Sequence, residues 1–165
     1  MEHEITPVTG AHTTKGRPNG VTSLTPHLAV PSAKEAVAFY RDVFGATVGE
    51  VTEMGGVVVH AEIGFDSGGL TLGEAVEGHG LVAPDPERGA DYSLALYVPD
   101  VDKVVAAAET AGATVREPAA TFVSGDRYAS VVDPFGVRWT LMTRVEDLSP
   151  EESARRVAEW ARAQG

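Results

Sequence analysis

The chain carries one folding pattern twice. Leu28-Ala29-Val30-Pro31 is followed by a helix-like run and then by Gly45-Ala46-Thr47-Val48. Leu96-Tyr97-Val98-Pro99 is followed by a helix-like run one residue shorter and then by Gly112-Ala113-Thr114-Val115. Chance gives one short match easily. It does not easily give strand, helix and terminator in the same order. A repeat of this kind predicts two supersecondary units, each needing the other to bury its apolar face.

Periodicity fills in each unit. Alternation puts Leu24, Pro26, Leu28 and Val30 on one face of an opening strand, and Tyr92, Leu94, Leu96 and Val98 on one face of its counterpart. Ser32 and Asp100 are placed to cap the helices that follow. Ala36, Val37, Tyr40, Val43 and Phe44 form a helical stripe in the first unit, and Val101, Val104, Val105, Ala108 and Ala111 in the second. Gly45 and Gly112 are natural helix terminators. Three strand-like runs follow in each half: 47–52, 56–63 and 69–73, then 114–117, 127–132 and 137–143. Met54-Gly55-Gly56 and Asp133-Pro134-Phe135-Gly136 carry turn chemistry. The expected organisation is an arm at 1–21, disordered or loosely docked, a βαβββ module at 22–75, a Gly- and Pro-rich linker at 76–90, a second βαβββ module at 91–145 and a helical tail at 146–165. Ser149-Pro150-Glu151-Glu152 supplies the tail with a cap, a proline in the first turn and acids at its positive end. Val157, Trp160 and Ala161 are its candidate docking residues.

Charge narrows the function classes. With 24 acidic against 13 basic residues and a net charge of −11, the chain would be repelled by nucleic acid. The same field mildly attracts cations. There are no cysteines, so disulfide frameworks and thiolate metal sites are excluded. No apolar run suits a signal peptide or a membrane span, so the expected location is the cytoplasm, with no membrane partner.

Several motifs resemble those of a known family. They are Thr25-Pro26-His27-Leu28, Ala38-Phe39-Tyr40, Phe44-Gly45-Ala46, His60-Ala61-Glu62-Ile63, Gly125-Asp126-Arg127-Tyr128, Asp133-Pro134-Phe135-Gly136 and Glu146-Asp147-Leu148-Ser149-Pro150-Glu151-Glu152. With the doubled β-α-β-β-β order, they resemble the vicinal oxygen chelate superfamily of glyoxalases, bleomycin-resistance proteins and dioxygenases, and within it the PhnB-like branch. The resemblance implies an α+β fold. Two βαβββ modules would form a curled mixed sheet around a cleft, with a C-terminal helix. It also implies a homodimer.

Alternation selects the cleft-facing residues: Thr25, His27 and Ala29, then Ser93, Ala95 and Tyr97, on the opening strands; Gly69, Thr71 and Gly73, then Arg138, Thr140 and Met142, on the closing ones. In metal-dependent members the four opening and closing strands each supply a ligand. The matching positions here are His27, Thr71, Ala95 and Thr140. Hydroxyls and a methyl do not replace imidazole and carboxylate, so no metal or other cofactor is expected. Glu74 becomes a second ligand beside His27 only if a bulge near Gly69 shifts the strand register. His60 and Glu62 are expected to face water, and Trp139 to lie in the core.

The expected ligand-binding residues are His27, Thr71, Ser93, Tyr97, Phe122, Tyr128, Arg138, Thr140 and Met142. The aromatic ones suit a planar small molecule. Arg127 and Arg138 suit an anionic group, although Arg127 also has a local partner in Asp126. Two functions follow. One is a metal-free protein that sequesters an aromatic or cationic compound, as drug-resistance members do. The other is a glyoxalase-like isomerase or lyase, using His27 as base or an unusual ligand set. Ligand identity, any catalysis, and pairing within or between chains stay open.

Overall fold

The computed structural model describes residues 5–165; the first four residues of the arm, with His3, lie outside it. The arm carries a two-stranded hairpin, β1 (Thr13–Thr14) with β2 (Arg17–Pro18). Two modules follow. The first is β3 (His27–Val30), α1 (Ala33–Asp42), β4 (Thr47–Met54), β5 (Val57–Gly64) and β6 (Gly69–Glu74). The second is β7 (Leu94–Tyr97), α2 (Val101–Thr110), β8 (Thr114–Thr121), β9 (Asp126–Val132) and β10 (Arg138–Arg144), with α3 (Pro150–Ala163) behind it. The sheets have strand orders β3-β6-β5-β4 and β7-β10-β9-β8, the same permutation twice. In each, the opening strand pairs parallel with the closing one and the rest is antiparallel. The two sheets remain separate four-stranded layers rather than one closed sheet. Both long hairpins carry register shifts soon after their first pair, at Val48/Val51 and at Val115/Glu117. Such irregularities bend a sheet and increase its twist.

The opening strands are shorter than alternation predicts. Thr25-Pro26 breaks the first, because proline brings no amide to the ladder. Leu24 is accordingly 84% exposed instead of packed. β7 begins at Leu94, leaving Tyr92 in the linker, 47% exposed. The helix ends follow their local chemistry. Asp100 accepts from the Lys103 amide at 3.2 Å, and Ser149 from the Glu152 amide at 3.1 Å, whereas Ser32 caps α1 without a side-chain bond. Gly45 (φ 72°) and Gly112 (φ 99°) adopt the left-handed conformation that ends each helix.

The core runs through both modules. Leu28, Val30, Leu70, Leu72, Ala61 and Ile63 form the buried face of the first sheet, and Leu96, Leu141, Ala129 and Val131 that of the second. α1 joins them. Its Tyr40 ring meets Trp139 at 5.3 Å, Phe44 meets Trp139 at 4.9 Å and Phe39 meets Phe135 at 5.9 Å. Trp139 is 2% exposed, a core residue as alternation predicts. The helical stripe omits Phe39, which is buried as well.

At this junction sits Asp133, only 4% exposed. Its carboxylate accepts from Tyr40 Oη at 2.5 Å, Trp139 Nε1 at 2.9 Å, and the Phe135 and Val137 amides, both at 2.9 Å. Burial raises its pKa, and these four donors pull it back down. The same burial holds the Tyr40 phenol well above its ordinary range, and the Asp133 charge adds to it. The Asp-Pro-Phe-Gly turn is thus a clamp between one module's helix and the other's hairpin.

Candidate functional site

The face of the first sheet opposite its core is assembled by register. His27 pairs with Thr71, and Thr71 with Glu62, so the three lie in one row across β3, β6 and β5. His27 Nδ1 and Thr71 Oγ1 are 2.8 Å apart, which fixes the imidazole and leaves Nε2 for other contacts. His60 stacks beside His27, the ring centroids 6.2 Å apart and 12° from parallel. Partial burial lowers the His27 pKa below its ordinary 6.5, and His60 pushes it further the same way. Both effects favour the neutral imidazole over the charged one.

Glu74 pairs with Val30, and Val30 is fully buried on the opposite face. The β3–β6 ladder is regular through this stretch, so the bulge needed to turn Glu74 inward is absent and Glu74 is not a partner for His27. The four positions where metal-dependent relatives carry ligands hold one imidazole, two hydroxyls and a methyl. Among the described residues no group of three or more His, Cys, Asp or Glu side chains is placed to hold a metal ion. This donor set does not fit a divalent metal.

The second sheet offers a different face. Ala95, Thr140 and Ser130 share one row, and Tyr97, Met142 and Tyr128 the next but one. Ser93 Oγ and Thr140 Oγ1 lie 3.1 Å apart. Arg138 Nε donates to Ser130 Oγ at 3.1 Å, with Ser130 itself buried. Tyr97 Oη donates to Asp126 Oδ1 at 3.2 Å, and Asp126 pairs with Arg144 at 3.0 Å. Arg127 does not pair with its neighbour Asp126. It forks onto Asp102 of α2 through two bonds of 2.7 Å, since successive side chains on a strand point to opposite faces. Phe122 meets Tyr128 at 6.3 Å and Trp160 of α3 at 5.0 Å. The tail helix therefore covers this aromatic end through Trp160. Ala161 is exposed and takes no part in burial there.

A cavity of about 610 Å³ lies beside these faces. Its floor includes His27 and Ala29 of β3 and Gly136, Val137 and Arg138 at the start of β10. Its roof is the linker, including Leu81, Val82, Pro84 and Arg88, followed by Tyr92. Of the nine expected ligand-binding residues, His27 and Arg138 line the cavity. Thr71 is hydrogen-bonded to His27. Ser93 and Thr140 bond each other, and Thr140 lies beside Ser130, the hydroxyl that holds Arg138. Tyr97, Tyr128, Met142 and Phe122 form a separate group toward α3. Periodicity missed three features. His60, expected to face water, stacks on His27. Tyr92, expected on the packed face of a strand, lines the cavity. The linker residues have no period to read, and only their Gly- and Pro-rich composition marked a rim.

Comparison with known proteins agrees with this geometry. The chain is 34% identical over 134 residues to the uncharacterized protein Mb0911c of Mycobacterium bovis, covering 79% of this chain and 88% of that one. Among solved structures it resembles TioX from Micromonospora sp. ML1, with a TM-score of 0.57 and 20% identity over 78% of this chain and 100% of that one. It also resembles the PhnB protein from Bacillus cereus, with a TM-score of 0.58 and 17% identity over 74% of this chain and 99% of that one. At these identities the two structures speak for the fold. The sequence profile of the Glyoxalase/Bleomycin resistance protein/Dioxygenase superfamily matches residues 12–141. A doubled βαβββ chain with this cleft and this profile belongs to the glyoxalase/bleomycin resistance protein/dioxygenase superfamily.

Proposed function

We propose that the chain binds and sequesters a small aromatic or cationic compound in the cavity between β3, the start of β10 and the linker, in the manner of the drug-resistance proteins of its superfamily. One observation carries this reading. The superfamily's cleft scaffold is intact and opens onto about 610 Å³, while the ligand positions of the metal-dependent enzymes hold Thr71, Ala95 and Thr140. A cavity of that size suits a small organic molecule. Val82 and Tyr92 supply apolar and aromatic wall, and the net charge of −11 draws cations toward the surface. Binding takes place in the cytoplasm, and among the described residues no helix is long and apolar enough to cross a membrane.

The protein acts as a homodimer on this reading. The exposed Val51, Met54 and Val57 of the β4–β5 hairpin support it, because paired subunits would cover them. Sedimentation velocity showing only monomer at micromolar concentration would remove that part.

Elemental analysis of untagged protein, with a thermal-shift screen of divalent ions and of aromatic and cationic antibiotics, tests the main reading. A rise in midpoint with an organic compound and none with metals is the expected result. A stoichiometric metal that is lost in His27→Ala would overturn it. A second reading, a metal-free isomerase or lyase with His27 as base, draws on the neutral imidazole fixed by Thr71 with Nε2 available. Isomerisation of hemithioacetals of α-keto aldehydes, whose carbinol C–H proton a base can remove, that disappears in His27→Gln would establish it.

A further inference from the structure

We propose that the molecule bound in this cavity carries a carboxylate and that Arg138 anchors it; this rests on the binding reading above and assigns its ligand class. Five other arginines have found acids. Arg41 pairs with Asp42, Arg127 with Asp102, Arg144 with Asp126, and Arg155 and Arg156 with Glu152. Arg17, Arg88, Arg116 and Arg162 make no ion pair among the described residues, but all four are exposed to water. Arg138 differs from both groups. It is half-buried, lines the cavity, and makes no ion pair among the described residues. Among the described residues its one side-chain hydrogen bond runs from Nε to the buried Ser130 hydroxyl at 3.1 Å.

That arrangement orients the side chain and leaves both Nη groups open. A guanidinium withdrawn from water without an acid is costly, and its planar fork matches a carboxylate through two parallel bonds. Arg88 of the roof is a second cation on the same cavity without an ion pair. Two carboxylates share the lining, Asp85 and Asp91, and both are exposed. Asp85 is occupied in accepting the Glu87 amide at 3.1 Å, and neither is within ion-pair distance of Arg138. The chain's overall negative field favours cations at long range. Inside the cavity, short-range bonding to Arg138 and Arg88 decides.

The test holds the aromatic body constant and changes its charge. Calorimetric titrations use 2-naphthoate, 2-naphthamide and 2-naphthylmethylammonium against wild type, Arg138→Gln and Arg138→Lys, with circular dichroism confirming that each variant is folded. The expected result is naphthoate binding at least ~10-fold tighter than the amide, a difference of about 1.4 kcal/mol. That preference vanishes in Arg138→Gln, which brings acid and amide to comparable affinity, and is partly kept in Arg138→Lys. Equal binding of acid and amide by wild type, or tighter binding of the ammonium compound, overturns the carboxylate anchor and leaves the binding reading standing. If wild type binds none of the three, both fall. The wild-type ranking decides the matter even if a variant does not fold.

Discussion

The two modules share strand order, pairing and bulge position, yet their helices behave differently. α1 and the turn that ends it are aromatic, and Phe39, Tyr40 and Phe44 reach past their own sheet to Phe135, Asp133 and Trp139 of the other module. α2 is built from valine and alanine and packs on β8, β9 and β10 of its own module. The cleft faces diverge as well: two imidazoles and a carboxylate on the first sheet, against a guanidinium, hydroxyls and tyrosines on the second. A duplicated scaffold therefore keeps its backbone ladder in common and differs where one copy must hold the other and on the faces beside the cavity. The ladder tolerates many side chains. A junction between two modules needs one shape on each side.

Core mutations test that asymmetry most strongly. Phe44→Ala is expected to cost about 3–5 kcal/mol, the usual range for emptying a buried aromatic site. Val105→Ala on α2 removes only two methyl groups from a partly buried side chain and is expected to cost about 1 kcal/mol, at ~25 cal/mol per Å² of apolar area lost. Urea unfolding of both variants measures the difference, and equal losses would mean that α1 is not the joint. The turns come next. Asp133→Ala strands four buried donors and is expected to destabilise by about 3 kcal/mol, while Asp66→Ala in the corresponding exposed turn of the first module stays within about 0.5 kcal/mol. A drop of similar size at Asp66 would contradict a one-sided clamp. The Arg127–Asp102 fork ties β9 to α2 at the surface. Arg127→Ala is expected to leave the urea midpoint close to that of wild type despite its geometry, because water screens exposed pairs.

The smallest effect is a titration. The folded pKa of His27 is lowered, so the stability that neutral His27 contributes is fully present above its ordinary 6.5 and is lost as pH falls through the lower folded value. Burial is the larger cause and His60 the smaller. NMR titration should place His27 below 6.5 in wild type and move it part of the way back in His60→Gln. No movement would mean that the stacked rings do not sense each other's charge.

Much of this molecule is legible in its sequence. The Leu28-to-Val48 stretch and its echo at Leu96 to Val115 announce two modules, because strands and helices impose periods of 2.0 and 3.6 on where leucine and valine fall. Capping by Asp100 and Ser149 and the terminators Gly45 and Gly112 follow from local backbone chemistry. What periodicity cannot supply is the partner of a face. It marks Tyr40 and Trp139 as buried but does not say that they touch across modules. Nor does it show that Asp133 lies between them. The site is harder still. Alternation finds His27 and Arg138, whereas Leu81, Val82 and Arg88 reach the cavity on a linker whose path depends on the packing of both modules. Alternation puts His60 and Glu62 on one face of their strand without saying what that face meets, and only the pairing of β5 with β6 brings His60 beside His27.

The linker roofs the cavity and is also the covalent bond between modules that α1 already holds together. Its conformation therefore carries little of the burden of keeping the halves associated, and lengthening a flexible connection costs only about 0.6 kcal/mol per doubling. The cavity thus has a wall fixed by the two sheets and a roof that is not. Insertions, deletions and substitutions between residues 76 and 90 are expected to reshape that roof while the scaffold keeps its stability, so the volume above His27 and Arg138 is the part of the molecule most open to redesign.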